Sequence, residues 1–220
     1  MESTTSTKPI KQNLVQVVMN DSQVKEVIIL NTVKMFINRG IIDENHQSMY
    51  VSTASSRIDQ NDETYIELSL DETQRLGQNK IHIKFIDRKI TTIRKVIDIE
   101  DFMDKPEYKL VIVNNMAQKA VKQVLEYKNA ELFYDYELQI NLVDHILVPK
   151  HHKLNEVEID QLKESYRFKP KNAKRMYLDD PISRYYNLKI DDIVRIERPS
   201  ITAGYSIDYR VVVPGTIHKN

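Results

Sequence analysis

The sequence predicts a mixed α/β protein of the α+β kind, built in two parts: a helix-covered mixed sheet over residues 21–143 and a smaller mixed α/β unit over residues 144–220. Three observations carry this expectation. Strand-like alternation and helix-like spacing take turns from Ile81 to Val143 in the order strand, helix, strand, helix, strand, the pattern of a parallel or mixed sheet covered by helices. Past Val143 the composition changes without a Gly/Ser linker, so the second part abuts the first. In that second part, capping residues stand ahead of two helical stretches, and two strand-like runs follow.

Met1 to Gln12 is polar and rich in Ser and Thr, and residues 1–20 are expected to form a mobile tail. Asp21 or Ser22 is placed to cap a helix running toward Arg39, with Gly40 ending it. The apolar residues of that helix, from Val24 to Ile37, lie almost all round it, which predicts burial rather than one wet face. Met49 to Gly77 is polar and irregular, with one strand at Tyr65 to Leu70. Ile81, Ile83 and Phe85 alternate with His82, Lys84 and Ile86, as in a half-buried strand. Thr91 to Phe102 has helical spacing, Lys109 to Val113 reads as a buried strand, and Ala117 to Tyr127 is a helix striped by Ala120, Val121, Val124 and Leu125. Leu138, Ile140 and Leu142 alternate with Gln139, Asn141 and Val143 as a third strand.

In the second part, Asn155 as N-cap with Glu158 three positions into the helix forms a capping box for Glu156 to Tyr166. Asp180-Pro181 starts a second short helix, because the carboxylate caps it and the missing proline N–H costs nothing in a first turn. Ile193 to Arg198 and Tyr205 to Val213 are strands joined by a loop through Pro199, Ala203 and Gly204.

Composition narrows the function classes. With 41% hydrophobic and 29% charged residues the chain is globular in type, and the absence of cysteine removes disulfides, thiolate zinc sites and cysteine nucleophiles. No apolar run approaches the roughly 20 residues of a membrane span, and the N-terminus lacks a signal pattern, so a soluble intracellular protein with no membrane partner is expected. The zero net charge divides into 18 Lys and Arg against 21 Asp and Glu up to Val143, and 14 against 11 from Asp144. Neither part is the strongly basic body of a free-standing nucleic-acid binder, and a balanced surface suits a protein that docks on others. A Pro-Asp followed by an Asp/Glu-x-Lys triad, which would hold a nuclease metal, is absent, and the four glycines are too scattered for a phosphate loop. Nothing in the sequence supports an enzyme, and neither cofactor nor metal is expected.

The remaining candidates have plain readings. His145, His151 and His152 surround a Val-Pro turn with no fourth ligand apparent, which favours capping or interface histidines over a metal site. Asp179-Asp180 and Asp191-Asp192 fit a helix cap and a turn better than acid/base chemistry. Lys169 to Arg175 is the densest basic stretch: a solvated loop is the simplest reading, and a localisation signal or nucleic-acid contact the alternatives. Tyr166, Tyr177, Tyr185, Tyr186, Tyr205 and Tyr209 suit packing better than base stacking.

One ordered run goes further. His145, Pro149, Lys150 and His151 are followed by Tyr166, Arg167 and Pro170, then by Asp180 and Pro181, Arg195 and Arg198, Thr202 and Gly204, and finally Tyr209 and Arg210. This third of the chain resembles the C-terminal assembly domain of the fifth subunit shared by eukaryotic nuclear RNA polymerases, a family with members in the archaeal RNA polymerase. Arg39-Gly40 and the order of elements before Val143 are similar to that family's N-terminal jaw domain. The resemblance implies a non-catalytic subunit of a DNA-dependent multisubunit RNA polymerase. Its assembly domain would brace the largest subunit near the small omega-like subunit, through the residues just named other than Tyr166, Arg167 and Pro170, together with Arg175. Its jaw would project toward downstream duplex DNA, touched weakly and only within the complex. Asn115 to Lys119 loosely matches the family's DNA-proximal loop, which nominates Lys119 and Lys122 as contacts. An independent nucleic-acid-binding factor and a metal-dependent nuclease are the alternatives.

Departures from the family are specific. Ala173-Lys-Arg-Met176 stands where members have Leu-Pro-Arg-Ile, and Asn187 and Asp191 stand where they have glycine. Asn and Asp are the substitutes that best tolerate left-handed backbone, so the turns should survive. Residues 214–220 extend past the usual end. This divergence, with scarce Gly and abundant Ile, Asn and Lys, suits a polymerase of a large AT-rich virus. Residence at the site of transcription follows, in a nucleus or in a viral factory or virion.

Overall fold

In the computed structural model, which describes residues 19–58, 65–70, 80–94 and 96–215, the first helix begins in a capping box. The Asn20 side chain accepts from the Gln23 N–H at 2.9 Å, and Gln23 accepts from the Asn20 N–H at 3.1 Å. The cap of α1 (Asp21–Asn38) therefore falls before the expected Asp21 or Ser22, because Asn20 has a Gln three residues on to return the bond. Gly40, at φ 70°, ends the helix as expected: its N–H bonds to Ile37 and that of Ile41 to Phe36. Ile28, Ile29, Val33, Met35 and Phe36 are buried, as the all-round apolar pattern requires. Most of the expected tail lies outside the described residues, as do residues 216–220 of the C-terminal extension.

The polar stretch after residue 46 corrects the expectation of irregular chain. It forms α2 (Gln47–Ile58), which sinks Tyr50 and Ala54 into the core. Its Ser52, Thr53 and Ser56 hydroxyls bond back to carbonyls three or four residues earlier, so a hydroxyl-rich sequence satisfies its polar groups within the helix.

A four-stranded sheet follows in the order β1 (Tyr65–Ser69), β2 (Lys80–Ile86), β3 (Tyr108–Val113) and β4 (Ala130–Tyr134). The first pair is antiparallel and the other two are parallel. α3 (Ile97–Met103) and α4 (Gln118–Glu126) form the crossovers. On one face Ile81, Ile83, Leu110 and Ile112 pack against α1 and α2; on the other Ile86, Val111 and Val113 pack against α3 and α4. β3 is buried at every position, as suits a parallel strand covered on both sides.

Three expectations need correction here. β2 is buried on both faces, not half-buried, because helices cover both sides of the sheet. The helix expected from Thr91 starts only at Ile97; Ile93 is buried from the turn before it. The third parallel strand is β4, and residues 138–143 are not a strand. That segment holds the end of α5 (Asp135–Leu138) and a 3-10 turn at Leu142–Asp144. The short alternation there reflects one inward Leu138 and one outward Ile140, not a pleat.

The second sheet has the order β5 (Lys150–Lys153), β7 (Ile193–Ser200), β8 (Gly204–Val213) and β6 (Lys174–Tyr177). β7 and β8 form a long antiparallel hairpin; β5 adds antiparallel to β7, and β6 adds parallel to β8. α6 (Glu156–Tyr166) carries the expected capping box at Asn155 and Glu158, and α7 (Pro181–Tyr185) is capped by Asp180 at 2.9 Å. Asn187 and Asp191 adopt φ 48° and 70°, the left-handed turns their residue types foretold.

Among the described residues the two sheets share no strand pairing, and they meet at a buried arginine side chain. Arg39, whose side chain is 3% exposed, pairs with Glu131 at 2.8 Å and donates to the Tyr108 hydroxyl and to the carbonyls of Arg184 and Tyr185. Burial works against its charge, but Tyr108 and Glu131 outweigh it and hold the guanidinium above its ordinary pKa. Arg184 in turn pairs with Glu137 and donates to the Leu132 carbonyl on the outer edge of β4.

Candidate functional site

Residues directly opposed on neighbouring strands share a sheet face, so register sorts the nominated residues of the second part. His151 opposes Ile196, Ile196 opposes Asp208, Val194 opposes Arg210, and Arg210 opposes Lys174. These residues, with Arg198 one step further along β7, occupy the face whose apolar end packs Val194, Ile196 and Val212 against Ile182 and Leu188. Beyond that core the face is charged. Asp208, mostly buried, is within 3.1 Å of Lys174, 3.6 Å of Arg198 and 3.8 Å of Arg210. One carboxylate thus serves three cations, and the Arg210 Nε is buried without a hydrogen bond among the described residues.

His151 borders this cluster. Its Nδ1–H donates to the Pro149 carbonyl at 2.7 Å, which fixes the ring at the start of β5. Burial holds its pKa below the ordinary value; Arg210 and Arg198 push the same way, and the Pro149 carbonyl and Asp180 oppose.

Arg195, Tyr209 and Arg175 lie on the opposite face. Arg195 opposes Tyr209, and both Arg175 and Ile193 oppose Val211, in the layer that α6 covers with Leu162 and Ile159. Arg195 is paired within the chain to Glu197 at 2.7 Å, and Tyr209 packs edge-on against Phe168. The nominated residues therefore form two groups. His145 stands apart from both, exposed at the end of the 3-10 turn, its Nδ1 accepting from the Leu147 N–H at 3.2 Å.

The hairpin carries a further feature. Its turn passes through Thr202 to Gly204, whose φ of 70° suits glycine. Around it Ile201, Tyr205 and Ile207 are exposed, Ile201 fully. Ile146 and Leu147, after His145, are also almost wholly exposed.

In the first part, the 115–117 loop follows β3 and enters α4, with Met116 buried and bridged to Ile90. Lys119 and Lys122 are three residues apart on one exposed side of α4, and neither has an ion-pair partner among the described residues. Among the described residues no group of three or more His, Asp and Glu could hold a metal.

Sequence reasoning missed Asp208 and the junction formed by Arg39, Glu131, Arg184 and Glu137. In the sequence Arg39-Gly40 reads only as a helix end. Asp208 leaves a fainter signal, as the lone carboxylate of its strand.

Known proteins match this chain over its second part or over both parts. Residues 140–212 match the family described as RNA polymerase Rpb5, C-terminal domain. The chain is 30% identical over 206 residues to "DNA-directed RNA polymerase subunit 5" of Acanthamoeba polyphaga mimivirus, covering 92% of this chain and 98% of that protein. It is 34% identical over 129 residues to a subunit of DNA-directed RNA polymerases I, II and III of Dictyostelium discoideum, covering 56% of this chain and 66% of that one. It is 39% identical over 74 residues to "DNA-directed RNA polymerase subunit Rpo5" of Methanocaldococcus jannaschii, covering 34% of this chain and 95% of that one. The first match spans both sheets and the third spans only the length of one small domain, so the chain belongs to the family of subunit 5 of DNA-directed RNA polymerases.

Proposed function

We propose that this subunit is non-catalytic and that its second part braces the largest polymerase subunit beside the small omega-like subunit. The observation that carries this reading is the unfinished second sheet: three cations around one carboxylate on one face, and a hairpin that holds Ile201, Tyr205 and Ile207 in solvent, the last two on the other face. A partner supplying carboxylates and an apolar recess would complete both features. His145, Pro149, Lys150, His151, Arg175, Asp180, Pro181, Arg195, Arg198, Thr202, Gly204, Tyr209 and Arg210 are the interface residues of this reading. Asp180 and Pro181 contribute by building α7, and Gly204 by turning the hairpin.

The absence of strand pairing between the sheets supports two domains, residues 21–143 and 144–220. The first is the jaw, facing downstream duplex DNA with Lys119 and Lys122. The subunit works where transcription occurs, in a nucleus, or in a viral factory or virion, a source that the likeness to the mimivirus protein supports.

Affinity capture of the tagged chain from its native source tests the assembly reading. Two very large polymerase chains in stoichiometric amount are expected. Recovery of DNA alone would favour an independent binding factor, and DNA cleavage with added metal a nuclease. For the jaw, Lys119→Ala with Lys122→Ala should lower the salt slope of elongation-complex stability by about 0.9 for each phosphate no longer neutralised. An unchanged slope removes both lysines from the DNA path.

A further inference from the structure

We propose that the edge of the second sheet from Tyr166 to Tyr177 binds a single-stranded nucleic acid, holding its phosphates with cations and its bases against two tyrosines. Arg167, Lys169, Lys171, Lys174 and Arg175 fall between Glu164 and Asp179 with no acidic residue among them, in a chain whose net charge is zero. All five are exposed. Lys174 is held by Asp208, whereas Arg167, Lys169, Lys171 and Arg175 have no ion pair among the described residues.

The backbone gathers these residues into one ledge. α6 ends at Arg167, whose left-handed φ of 49° turns the chain back toward the sheet. Phe168 and Ala173 then anchor the loop in the cluster around Val211, with the 3-10 turn Pro170–Asn172 standing out between them. β6 continues along the sheet edge, where Arg175 opposes Val211 and Tyr177 opposes Val213, so both share the face on which α6 lies. Tyr166, 75% exposed, and Tyr177, 56% exposed, bracket the cations.

Composition selects the partner. An acidic protein segment would be expected to meet few lysines, because protein interfaces are depleted in lysine. Here three of the five cations are lysines, and the two tyrosines are the large exposed hydrophobics of the stretch. A phosphate chain accepts point charges from either cation type, and tyrosine faces take any unstacked base. Duplex bases are already stacked, which makes a single strand the matching ligand.

Fluorescence anisotropy of the full chain with a short labelled oligouridylate at low salt tests the proposal. Weak binding is expected, with a log–log salt slope of about 3 from four unpaired cations at about 0.7 each. Changing Lys169, Lys171 and Arg175 to Ala together should remove about 2 from that slope; the milder Lys169→Gln with Lys171→Gln should remove about 1.4, if the triple variant melts early. Tyr166→Ala with Tyr177→Ala should weaken binding at least about fivefold with the slope retained. Absence of binding at low salt would overturn the proposal and leave the cations as guards of an edge strand. Equal affinity for duplex, an unchanged slope in both lysine variants, or equal binding of polyglutamate would each overturn it too, the last by reassigning the ledge to acidic protein. Because Lys169 and Lys171 are not among the proposed interface residues, polymerase capture by the Lys169→Gln with Lys171→Gln variant reads assembly apart from oligouridylate binding, and the two readings fail separately.

Discussion

The two sheets of this subunit have the same number of strands and opposite finishes. The first is covered by helices on both faces, and its outer strand β4 is closed by side chains: Glu137 accepts from the Tyr134 N–H at 2.8 Å while Arg184 donates to the Leu132 carbonyl. The second has a helix on part of each face and leaves its charged residues and hairpin turn in water. A sheet closed in this way spends its side chains on its own stability, and a sheet left open keeps them for a partner. Each half should therefore fail in its own way when altered.

The largest effect is expected where the halves meet. Arg39→Ala leaves Glu131 and Tyr108 without their buried cation and should cost about 3–5 kcal/mol in urea denaturation of the whole chain. A loss below about 1 kcal/mol would show that the halves are held by something else. Leu110→Ala, at a fully buried position of β3, should cost about 2–5 kcal/mol. If Tyr205→Ala on the open hairpin costs as much, the contrast between the sheets is wrong; about 0.5 kcal/mol or less is expected there, with loss of polymerase capture.

Arg198→Ala sharpens the contrast from the other side. Its pair with Asp208 is half exposed at 3.6 Å, so the melting temperature should barely move. Association with the polymerase should weaken by about 2–5 kcal/mol if a partner carboxylate is left unpaired. A large drop in monomer stability with intact capture would place Arg198 in the fold instead.

The smallest effect is pH. His82, buried beside Tyr65 and Lys105, and His151 both sit below the ordinary histidine pKa, in each case chiefly through burial. The folded chain therefore binds these protons less readily than the unfolded chain. Their contribution to stability is complete above about pH 6.5 and is lost as pH falls through that value toward the lower folded pKa. Urea midpoints should decline over that window, and His82→Gln and His151→Gln should each flatten the decline. An unaltered slope in both variants would remove these histidines as its source.

How much of this was legible followed physical contrast in the sequence. β3 is a run of apolar residues with a single lysine, α4 has a clear stripe, and α6 and α7 carry side-chain caps, so each was placed close to its true bounds. β5 and β6, Lys-His-His-Lys and Lys-Arg-Met-Tyr, are edge strands that bury little, and β4 is five residues long. Their pairing comes from neighbours rather than from their own pattern. The same holds for the site. Arg198 and Arg210 were nominated through a resemblance, but the carboxylate that gathers them was not, because its importance appears only once β8 lies beside β7 and β6. Arg39 is the extreme case: its partners are a carboxylate on β4 and carbonyls of α7, far along the chain.

The closure of β4 bears on how the chain is made. Every strand of the first sheet has been translated by Tyr134, but Arg184, which donates to the Leu132 carbonyl and pairs with Glu137, is translated about fifty residues later. Until then the nascent sheet presents a parallel edge open to pairing with any neighbouring chain. Residues 144–220 thus supply the last closure of the first sheet, and a truncation ending near residue 143 should precipitate during expression more readily than the full chain.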